Sequence, residues 1–571
     1  MHWLVREIVG RLTRRVTRYL FSKFEARTRR CRETQHRTLF EKIRRNATSD
    51  FGRDHRFDRI LSTTDFRRHV PITDYSYFSP YIERVKRGET SAMFGPDTTV
   101  HMFALTSGTT SAPKFIPVTD EYLREYRWGW MLWGIRTYDS HPEIYRLKVM
   151  GLSSDWRSSF TESGIPCGSI SGLTAAGQKR IVRERYCVPA CLMSVRDIEA
   201  KYYAALRLSI TWPLGMATAA SPSTLVSIAK LGDVEKEELL RDLADGTLTT
   251  KYDYPAEVRE SLAARIAERH PHRVRELEAI IARTGHLYPK DYWPTLQVIS
   301  NWTGGSMGAY LRQYPQFWGK TPVRDIGLLS SEGRMTIPLE NGTTAGVLDL
   351  MHQYYEFIPE SEIDCDNPTV LEAHELEEGE KYFILLTTSG GLYRYNISDV
   401  VRCTGRFNDT PMLEFLNKGS QFSSLTGEKL SEFQVSRAVE HGLTELELSL
   451  KAFTLAPCWA EPPYYSLLVE SDDLPGTVLG SRLAEAVDRH LMDQNVEYEN
   501  KRTTRRLGPV SLKLLPPRTW DAFARNRIAK RGGTSEQYKH PCLSSELDFT
   551  RQFRVLGEIL PAIPTPARKL A

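Results

Sequence analysis

Hydroxyl side chains, a glycine and a lysine are concentrated in one short segment between two apolar runs. In the stretch ALTSGTTSAPKFIPVT (residues 104–119) these residues are Thr106, Ser107, Gly108, Thr109, Thr110 and Lys114. Backbone N–H groups near a glycine and hydroxyl groups can surround phosphate oxygens, and a lysine adds a positive charge. The segment therefore predicts a phosphate-binding loop, with a Ser/Thr-rich turn that binds nothing as the alternative.

The segment does not have the pattern of a Walker A loop. That loop needs a glycine directly before the lysine, Ser or Thr directly after it, and a helix that begins there. Here Lys114 is followed by Phe115, and the residues that come next have the pattern of a strand. We therefore expect a loop between two strands, in which hydroxyl and backbone groups would hold the phosphate.

Two carboxylates farther along the chain could complete a nucleotide site. Glu332 lies in GLLSSEGRM (residues 327–335), and Asp399 lies in GLYRYNISDVVR, just after a Gly-Gly pair. A carboxylate such as Glu332 suits Mg²⁺ that is held on ATP phosphates. A carboxylate such as Asp399 can accept two hydrogen bonds from a ribose diol. The alternatives are a helix-capping Glu and a surface Asp in a turn.

Several motifs together resemble one enzyme family. TSGTTSAPK is similar to the phosphate loop of the adenylate-forming superfamily of acyl-CoA synthetases and related ligases. Other segments resemble, within it, the Gretchen Hagen three (auxin-responsive promoter) family of acyl acid–amido synthetases: VPITDYSYFSPYIERVKRGE, WPTLQVISNWTGGSMGAYL, SSEG, LYRYNISDVVR, LEFLNKGSQFSSLTGEKLSE and SEQYKHP. The similarity extends over nearly the whole chain from about residue 35, with the motifs in the family's order.

The resemblance implies a two-step ligase that uses ATP. A carboxylic acid would attack the α-phosphate to give an acyl-adenylate and pyrophosphate, and an amine, usually of an amino acid, would then displace AMP to form an amide. Two alternatives stay open: transfer of the acyl group to CoA or a carrier thiol, and a non-catalytic relative that associates with membranes. The presence of Lys114, Glu332, Asp399 and Lys539 favours the enzyme.

The family's motifs also imply roles for single residues. The phosphate would be held by Thr106, Ser107, Gly108, Thr109 and Thr110, with Lys114 at the end of the loop. The adenylate site would be lined by Thr303, Gly304, Gly305, Ser306 and Ser331, with Glu332 on Mg²⁺ and Asp399 on the ribose. Lys429 and Lys539 would come from the mobile domain as catalytic residues. Fixed cations there would stabilise the charge that builds up on the α-phosphate during attack.

Three positions depart from the family's pattern. Ser111 stands where the superfamily has Gly, so the backbone there adopts a positive φ less easily. Leu328 replaces a Tyr that often precedes Ser-Ser-Glu, which removes one ring that could stack on adenine. Ser398 precedes Asp399 where Gly is frequent. None of these changes removes a charged group from the predicted site.

The acyl substrate is not identified by the sequence. Trp128, Trp130 and Trp133 follow the phosphate loop on a predicted helix and could line a pocket for an aromatic acid. Helical Trp residues more often belong to the core, and we favour that interpretation.

Strands and helices alternate around these motifs. In the first part of the chain we predict strands at 99–105 and 114–119, a helix beginning at Thr119 or Asp120, a helical block over 233–284, and a strand, Gly-Gly turn and strand over 380–402. This mixture indicates an α/β fold: a large N-terminal α/β domain of β-sheets flanked by helices, and a smaller, mobile C-terminal α/β domain.

The last 160 residues or so have an organisation of their own. We predict strands at 411–417, 446–455, 464–471 and 509–516, and helices at 430–441, 478–494 and 517–530. The turn-forming stretch GRFNDTP (405–411) marks the boundary. The predicted units are a basic helical segment at 1–34, an adenylation domain at 35–405 and a small domain at 406–571 that swings about a hinge near 403–410.

Composition limits the class of protein. The 571 residues are 41% hydrophobic and 26% charged, and no run is long and apolar enough to predict a transmembrane helix. The eight cysteines are scattered, which is typical of a reducing compartment, and Cys187 and Cys191 are interpreted as structural. We expect a monomer in the cytoplasm that acts on small molecules.

The excess of basic over acidic residues is confined to the N-terminal segment. Residues 1–45 carry 14 Lys and Arg against 4 Asp and Glu, whereas the remaining chain carries 62 against 67, which argues against a nucleic-acid-binding body. Apolar residues from Val5 to Leu20 recur at helical spacing, with arginines on the other face. Such a helix either packs its apolar stripe on the body, which we favour, or lies on an anionic membrane.

Overall fold

The computed structural model describes residues 17–106, 114–304, 307–363, 365–419, 422–423, 425–426, 428, 430–503, 507–531 and 538–560. The helices are α1 (residues 17–28), α2 (Cys31–Arg45), α3 (Asp50–Asp54), α4 (Thr63–His69), α5 (Tyr75–Lys86), α6 (Asp120–Ser140), α7 (Ile170–Ala176), α8 (Arg180–Arg183), α9 (Ile198–Ser209), α10 (Pro222–Val234), α11 (Lys236–Asp245), α12 (Ala256–Ile266), α13 (Pro271–Thr284), α14 (Pro289–Tyr292), α15 (Gly308–Leu311), α16 (Tyr314–Trp318), α17 (Glu432–Glu445), α18 (Thr477–Gln494), α19 (Val496–Thr503) and α20 (Thr519–Arg531).

The strands are β1 (Val100–Thr106), β2 (Lys114–Thr119), β3 (Lys148–Gly151), β4 (Ser159–Phe160), β5 (Pro166–Gly168), β6 (Leu214–Thr218), β7 (Val298–Asn301), β8 (Val323–Asp325), β9 (Thr336–Ile337), β10 (Gly346–Leu348), β11 (Tyr354–Pro359), β12 (Leu371–Glu372), β13 (Lys381–Thr387), β14 (Tyr395–Phe407), β15 (Thr410–Lys418), β16 (Phe422–Ser423), β17 (Leu430–Ser431), β18 (Phe453–Cys458), β19 (Tyr464–Glu470), β20 (Ser511–Leu515) and β21 (Gly557–Ile559). The predicted α/β class is confirmed.

The predicted strand–loop–strand unit is an antiparallel hairpin. β1 pairs with β2 so that Thr106 lies opposite Lys114, and these strands belong to a four-stranded sheet of order β2-β1-β5-β4. The chain then enters α6, whose first turn is capped: the Thr119 hydroxyl accepts a hydrogen bond from the Tyr122 N–H at 3.1 Å. The predicted helix start is therefore confirmed.

A seven-stranded sheet of order β12-β11-β13-β14-β15-β10-β9 forms the centre of the largest core. Helices α2, α4, α5 and α6 contribute buried residues to that core. β14 and β15 pair antiparallel from Asp399 opposite Lys418 to Phe407 opposite Thr410. The turn predicted at 405–411 is thus the end of a hairpin inside this sheet. The division of the chain at residue 405 stays a prediction.

A parallel sheet of order β3-β6-β7-β8 carries a second core. The helical block predicted over 233–284 consists of α11, α12 and α13, which contribute to this core together with α9 and α10. Carboxyl ends of neighbouring parallel strands lie at one edge of a sheet, and ligands commonly bind there. The loops after β7 and β8 therefore share an edge.

The tail has its own core, formed by α17, α18 and the strands of a sheet of order β18-β19-β20-β21. Most of the predicted elements are present, but the strand predicted at 446–455 begins only at Phe453. Residues 446–448 instead follow the end of α17, and the Leu448 N–H donates to the Leu443 carbonyl at 2.9 Å. The short helix α19 was not predicted.

The described part of the N-terminal segment packs on the body. Phe24 and Thr28 of α1 are fully buried, and Phe24 belongs to the largest core. The Thr28 carbonyl accepts hydrogen bonds from the Asp409 N–H and the Thr410 hydroxyl, and the Asn408 amide donates to its hydroxyl. Residues 1–16 lie outside the described residues. Among the helices that the structure describes, none has the length and hydrophobicity needed to cross a membrane.

Candidate active site

The site begins at the open end of the β1–β2 hairpin. Lys114, the first residue of β2, is half-buried, and its Nζ donates to the Tyr395 hydroxyl at 3.2 Å. The same ammonium lies 5.6 Å from the centre of the Tyr75 ring and 5.8 Å from that of the Tyr395 ring. Two aromatic rings and a hydroxyl therefore hold the lysine at the point where the loop rejoins the strand.

Tyr395 connects the lysine to both predicted carboxylates. It is the first residue of β14 and is fully buried. Burial raises the pKa of Tyr395 strongly, and the nearby negative charges of Glu332 and Asp399 raise it further. Lys114 therefore contacts this phenol, and Glu332 and Asp399 lie near enough for their charges to act on it.

Hydrogen bonds along the chain position Glu332. The Glu332 N–H donates to the Ser330 hydroxyl at 3.2 Å, and the Ser331 carbonyl accepts from the Tyr122 hydroxyl at 2.8 Å. The Ser331 hydroxyl donates to the Leu105 carbonyl in β1 at 3.4 Å. A methyl group at Gly333 would overlap the side chain of Gln353. The turn is therefore held against α6 and the hairpin.

The Glu332 carboxylate is compatible with a magnesium ion. Its side chain is buried, yet within the described chain its carboxylate oxygens form no hydrogen bond or ion pair. Carboxylate oxygens that no described protein group occupies remain available to a cation. Mg²⁺ is commonly bound through one or two carboxylates plus substrate phosphates. Among the described residues, no group of three or more His, Cys, Asp or Glu could hold a metal by itself.

Asp399 is buried in β14 beside an unusual backbone. Ser398, directly before it, has φ +60°, a conformation that Gly adopts easily and Ser rarely. The Ser398 N–H donates to Asn396 Oδ1 at 2.8 Å, and its carbonyl accepts from the Gly419 N–H at 2.7 Å. The departure noted at Ser398 thus coincides with a strained residue that these bonds hold in place.

Thr303 lies at the carboxyl edge of the parallel sheet. Its N–H and its hydroxyl both donate to Asp325 Oδ2 at 2.6 Å, and Asp325 Oδ1 accepts from the Gly327 N–H at 2.6 Å. Burial raises the pKa of the Asp325 carboxyl. A methyl group at Gly304 would lie 3.3 Å from the Phe415 carbonyl of β15. Asp325 therefore fixes the loop that the sequence assigned to the adenylate.

Lys539, from the tail, reaches this loop. Its side chain is exposed, and its Nζ lies 4.7 Å from the centre of the Trp302 ring and 5.4 Å from that of Phe415. Cations favour the faces of aromatic rings at this distance. The structure therefore places one predicted catalytic lysine beside Thr303 and Gly304.

Several predicted site residues lie outside the described residues. They are Ser107, Gly108, Thr109, Thr110, Ser111, Gly305, Ser306 and Lys429. Thr106 is described only as the last residue of β1. The roles assigned to them stay predictions.

The sequence did not single out Tyr75, Asp325 or Tyr395. Asp325 follows Val323 and Arg324 in a short segment without a clear strand pattern, and the two tyrosines have the pattern of ordinary core residues. Of the three tryptophans, Trp133 is buried and its Nε1 donates to the Asp325 carbonyl at 2.8 Å. Trp128 and Trp130 pack against the same core, which agrees with the interpretation we favoured.

Comparison with protein families gives matches along most of the chain. The GH3 family N-terminal domain matches residues 20–323, the GH3 family central domain matches residues 346–418, and the GH3 family C-terminal domain matches residues 433–548. Lys114 lies in the first of these regions, Asp399 in the second and Lys539 in the third.

Characterised relatives cover nearly the full length of the chain. The jasmonoyl–L-amino acid synthetase GH3.5 of Oryza sativa subsp. japonica is 25% identical over 91% of this chain and 93% of its own. The indole-3-acetic acid-amido synthetase GH3.8 of Oryza sativa subsp. indica is 25% identical over 94% and 93%. The solved structure of the GH3.15 acyl acid amido synthetase shares the fold, with a TM-score of 0.83, 21% identity and coverage of 95% and 97%.

Proposed function

The chain belongs to the GH3 (Gretchen Hagen three) family, and from its site we infer that it is an ATP-dependent acid–amido synthetase. It would join a carboxylic acid to an amine, most simply that of an amino acid, through an acyl-adenylate. Its relatives in rice are named as synthetases that join jasmonic acid or indole-3-acetic acid to amino groups. Which acid and which amine this chain uses is the question for experiment.

One observation carries the proposal. Lys114, Glu332 and Asp399 lie near Tyr395 at the open end of a hairpin whose loop has the sequence of a phosphate loop. This arrangement would supply a cation for phosphate, a carboxylate for a magnesium ion and a carboxylate for ribose hydroxyls. The retention of all three groups argues against a non-catalytic relative.

The residues suggest how the first step proceeds. The acid enters as a carboxylate, which is already a nucleophile, so no general base is needed. Lys114 and the loop would hold the phosphates in line with it, and positioning together with charge stabilisation supplies most of the catalysis in such transfers. Mg²⁺ held by Glu332 would neutralise charge on the phosphate oxygens.

Lys539 would add a second cation to the site. It lies beside the Thr303–Gly304 loop, where the α-phosphate is expected. Developing charge on phosphate oxygens is stabilised by cations that are already in position. We therefore propose that this arrangement of the tail corresponds to the adenylation step.

We propose that the tail moves as a small domain, but that its hinge lies after β15. Residues 403–410, near which the sequence predicts the hinge, pair within the seven-stranded sheet, and this supports a hinge outside them. Leu413 is the last residue of the large core, and Leu430 is the first of the tail's own core. The proposed hinge is the stretch after Lys418, which joins these two cores.

The decisive experiment is a panel of carboxylic acids in ATP–pyrophosphate exchange, followed by mass spectrometry of products with a panel of amino acids. We expect Mg²⁺-dependent exchange, AMP as co-product and an amide product. ADP and orthophosphate would contradict adenylation. A thioester formed with CoA, and no amide with any amine, would instead identify a thiol ligase.

We further propose that the protein acts in the cytoplasm. The eight cysteines are all free, which is typical of a reducing compartment. A monomeric state and a contact of the basic N-terminus with membranes stay predictions. Flotation with anionic liposomes would test the second, and light scattering the first.

A further inference from the structure

Two arginines lie close together at the far end of α6 without a carboxylate partner. Arg136 is in the last turns of α6, and Arg324 is in β8. Arg324 is 1% exposed, and burial followed by the charge of Arg136 lowers its pKa to about 10. Within the described chain, neither guanidinium forms an ion pair. Two like charges in such a place repel one another and are poorly solvated.

The hydrogen-bond acceptors around these guanidinium groups are neutral, and they are too few for the N–H donors. Arg324 Nε donates to Asn341 Oδ1 at 2.7 Å, and its Nη2 donates to the Ser140 hydroxyl at 3.0 Å. Arg324 Nη1 and Arg136 Nε are buried and have no hydrogen-bond partner. The Arg136 guanidinium lies 5.1 Å from the centre of the Phe21 ring of α1. Buried N–H donors normally have partners, so these require one.

The other charged groups nearby do not balance the pair. Burial lowers the pKa of His141, and the nearby charge of Arg324 lowers it further. The His141 Nε2 lies 2.8 Å from Asn341 Nδ2. Glu340 attracts Arg324 but is exposed and makes no ion pair with it. The carbonyl end of α6 offers only about half an elementary charge. The cluster therefore keeps a net positive charge.

We propose that Arg136 and Arg324 form a binding site for a phosphate group. A phosphate dianion has oxygens for several N–H donors, and guanidinium groups match its geometry. Ser140 is exposed and His141 and Asn341 are half-buried, so the cluster is open to solvent on this side. Arg136 contacts Phe21, which belongs to the basic N-terminal segment of the sequence. The phosphate is therefore either a small soluble one or the headgroup of an anionic lipid.

The first test measures binding of inorganic phosphate to the full chain by calorimetry and by the change in melting temperature. We expect saturable binding that Arg136→Gln weakens by about 10-fold to 100-fold, since hydrogen bonds to charged groups carry that much affinity. Arg324→Lys, which keeps the charge but lacks Nη1, should also weaken it. The matched control is Arg146→Gln, which removes an arginine whose side chain is 78% exposed, on the neighbouring turn.

Stability without phosphate gives a second, independent readout. In phosphate-free buffer of low ionic strength, Arg136→Gln should melt at the same temperature as the wild type or higher, because it removes a repulsion. A structural arginine would show the opposite result: a lower melting temperature and unchanged phosphate binding. That combination would overturn the proposal.

The second test identifies the source of the phosphate. Vesicles of phosphatidylcholine with and without a phosphoinositide are floated with the wild type and with Arg136→Gln. If the ligand is a lipid headgroup, the variant loses the phosphoinositide-dependent binding while the charge of residues 1–16 is unchanged. If it is a soluble phosphate, calorimetry detects it and flotation does not distinguish the two proteins. Absence of binding in both tests would refute the site.

Discussion

Replacing Lys539 tests the adenylation geometry most directly. Its ammonium lies 4.7 Å from the Trp302 ring and 5.4 Å from the Phe415 ring, next to the Thr303–Gly304 loop. Loss of a preorganised charge donor typically costs about 2.7–4 kcal/mol, or about 10²–10³ in rate. We therefore expect Lys539→Ala to lower ATP–pyrophosphate exchange by about that factor. Amide formation from a pre-made acyl-adenylate should fall much less.

The aromatic contact predicts a smaller effect for Trp302. A cation–π contact contributes about 0.5–2 kcal/mol, which corresponds to a loss of about 2-fold to 30-fold for Trp302→Leu. Trp302→Phe is the matched control, because it keeps an aromatic face and loses only the Nε1 donor to the Gly327 carbonyl. Melting temperatures of both variants would show whether that bond alone matters.

A double-mutant cycle links the two residues. If Trp302 acts by holding Lys539, Trp302→Leu should have almost no further effect on exchange in the Lys539→Ala background. Fully additive losses would refute the positioning role of Trp302. Equal losses in both half-reactions for Lys539→Ala would refute its assignment to adenylation, although not the assignment as a ligase.

Four further outcomes are expected. Asp399→Ala should lower both half-reactions, by about 10-fold to 100-fold, because hydrogen bonds from the ribose to this carboxylate would persist throughout; an effect on one half-reaction only would contradict this. Glu332→Gln should raise the Mg²⁺ concentration for half-maximal exchange by about tenfold or more, and should not lower the melting temperature, since it removes a buried unpaired charge. Desolvation by burial raises the pKa of Glu432 to about 6, so the folded state binds the proton more tightly than the unfolded state. The free energy of unfolding should therefore fall by up to about 2 kcal/mol as pH rises from about 4.5 to 6. Denaturant titrations of Glu432→Gln should show a weaker dependence of stability on pH in this range. Phe24→Ala should cost about 3–5 kcal/mol in the same assay, and a loss below about 1 kcal/mol would contradict the packing of α1.

Three charged residues that the motifs named lie near one another in the structure, and the roles assigned to them stay predictions. Lys114, Glu332 and Asp399 were predicted from chemistry and family resemblance, and the structure brings all three near Tyr395. Tyr395 itself was not predicted, because a Tyr in an apolar strand has the same pattern whether it fills the core or faces a site. Only the register of β14 in the sheet decides whether the ring fills the core or faces the site.

Other differences also come from tertiary structure. GRFNDTP has the composition of a linker, yet Thr28 of α1 binds its turn, and both flanking strands pair in the largest sheet. The sequence around Asp325 does not show that the N–H and the hydroxyl of Thr303 both donate to one oxygen of this carboxylate. Such contacts join segments 20 to 380 residues apart, and local pattern carries no information on them.

The β14–β15 hairpin has a consequence for how the length of this chain can vary in evolution. The turn of this hairpin forms a hydrogen bond with Thr28. Asp399 lies near the other end of the hairpin, opposite Lys418. Successive residues of a strand face opposite sides, so one inserted or deleted residue between these points would turn Asp399 away from the site. The hairpin already contains two register shifts, between Val400 and Val401 and between Cys403 and Gly405. Natural insertions and deletions among its homologues should therefore be excluded from residues 399–418, or occur there only in compensating pairs.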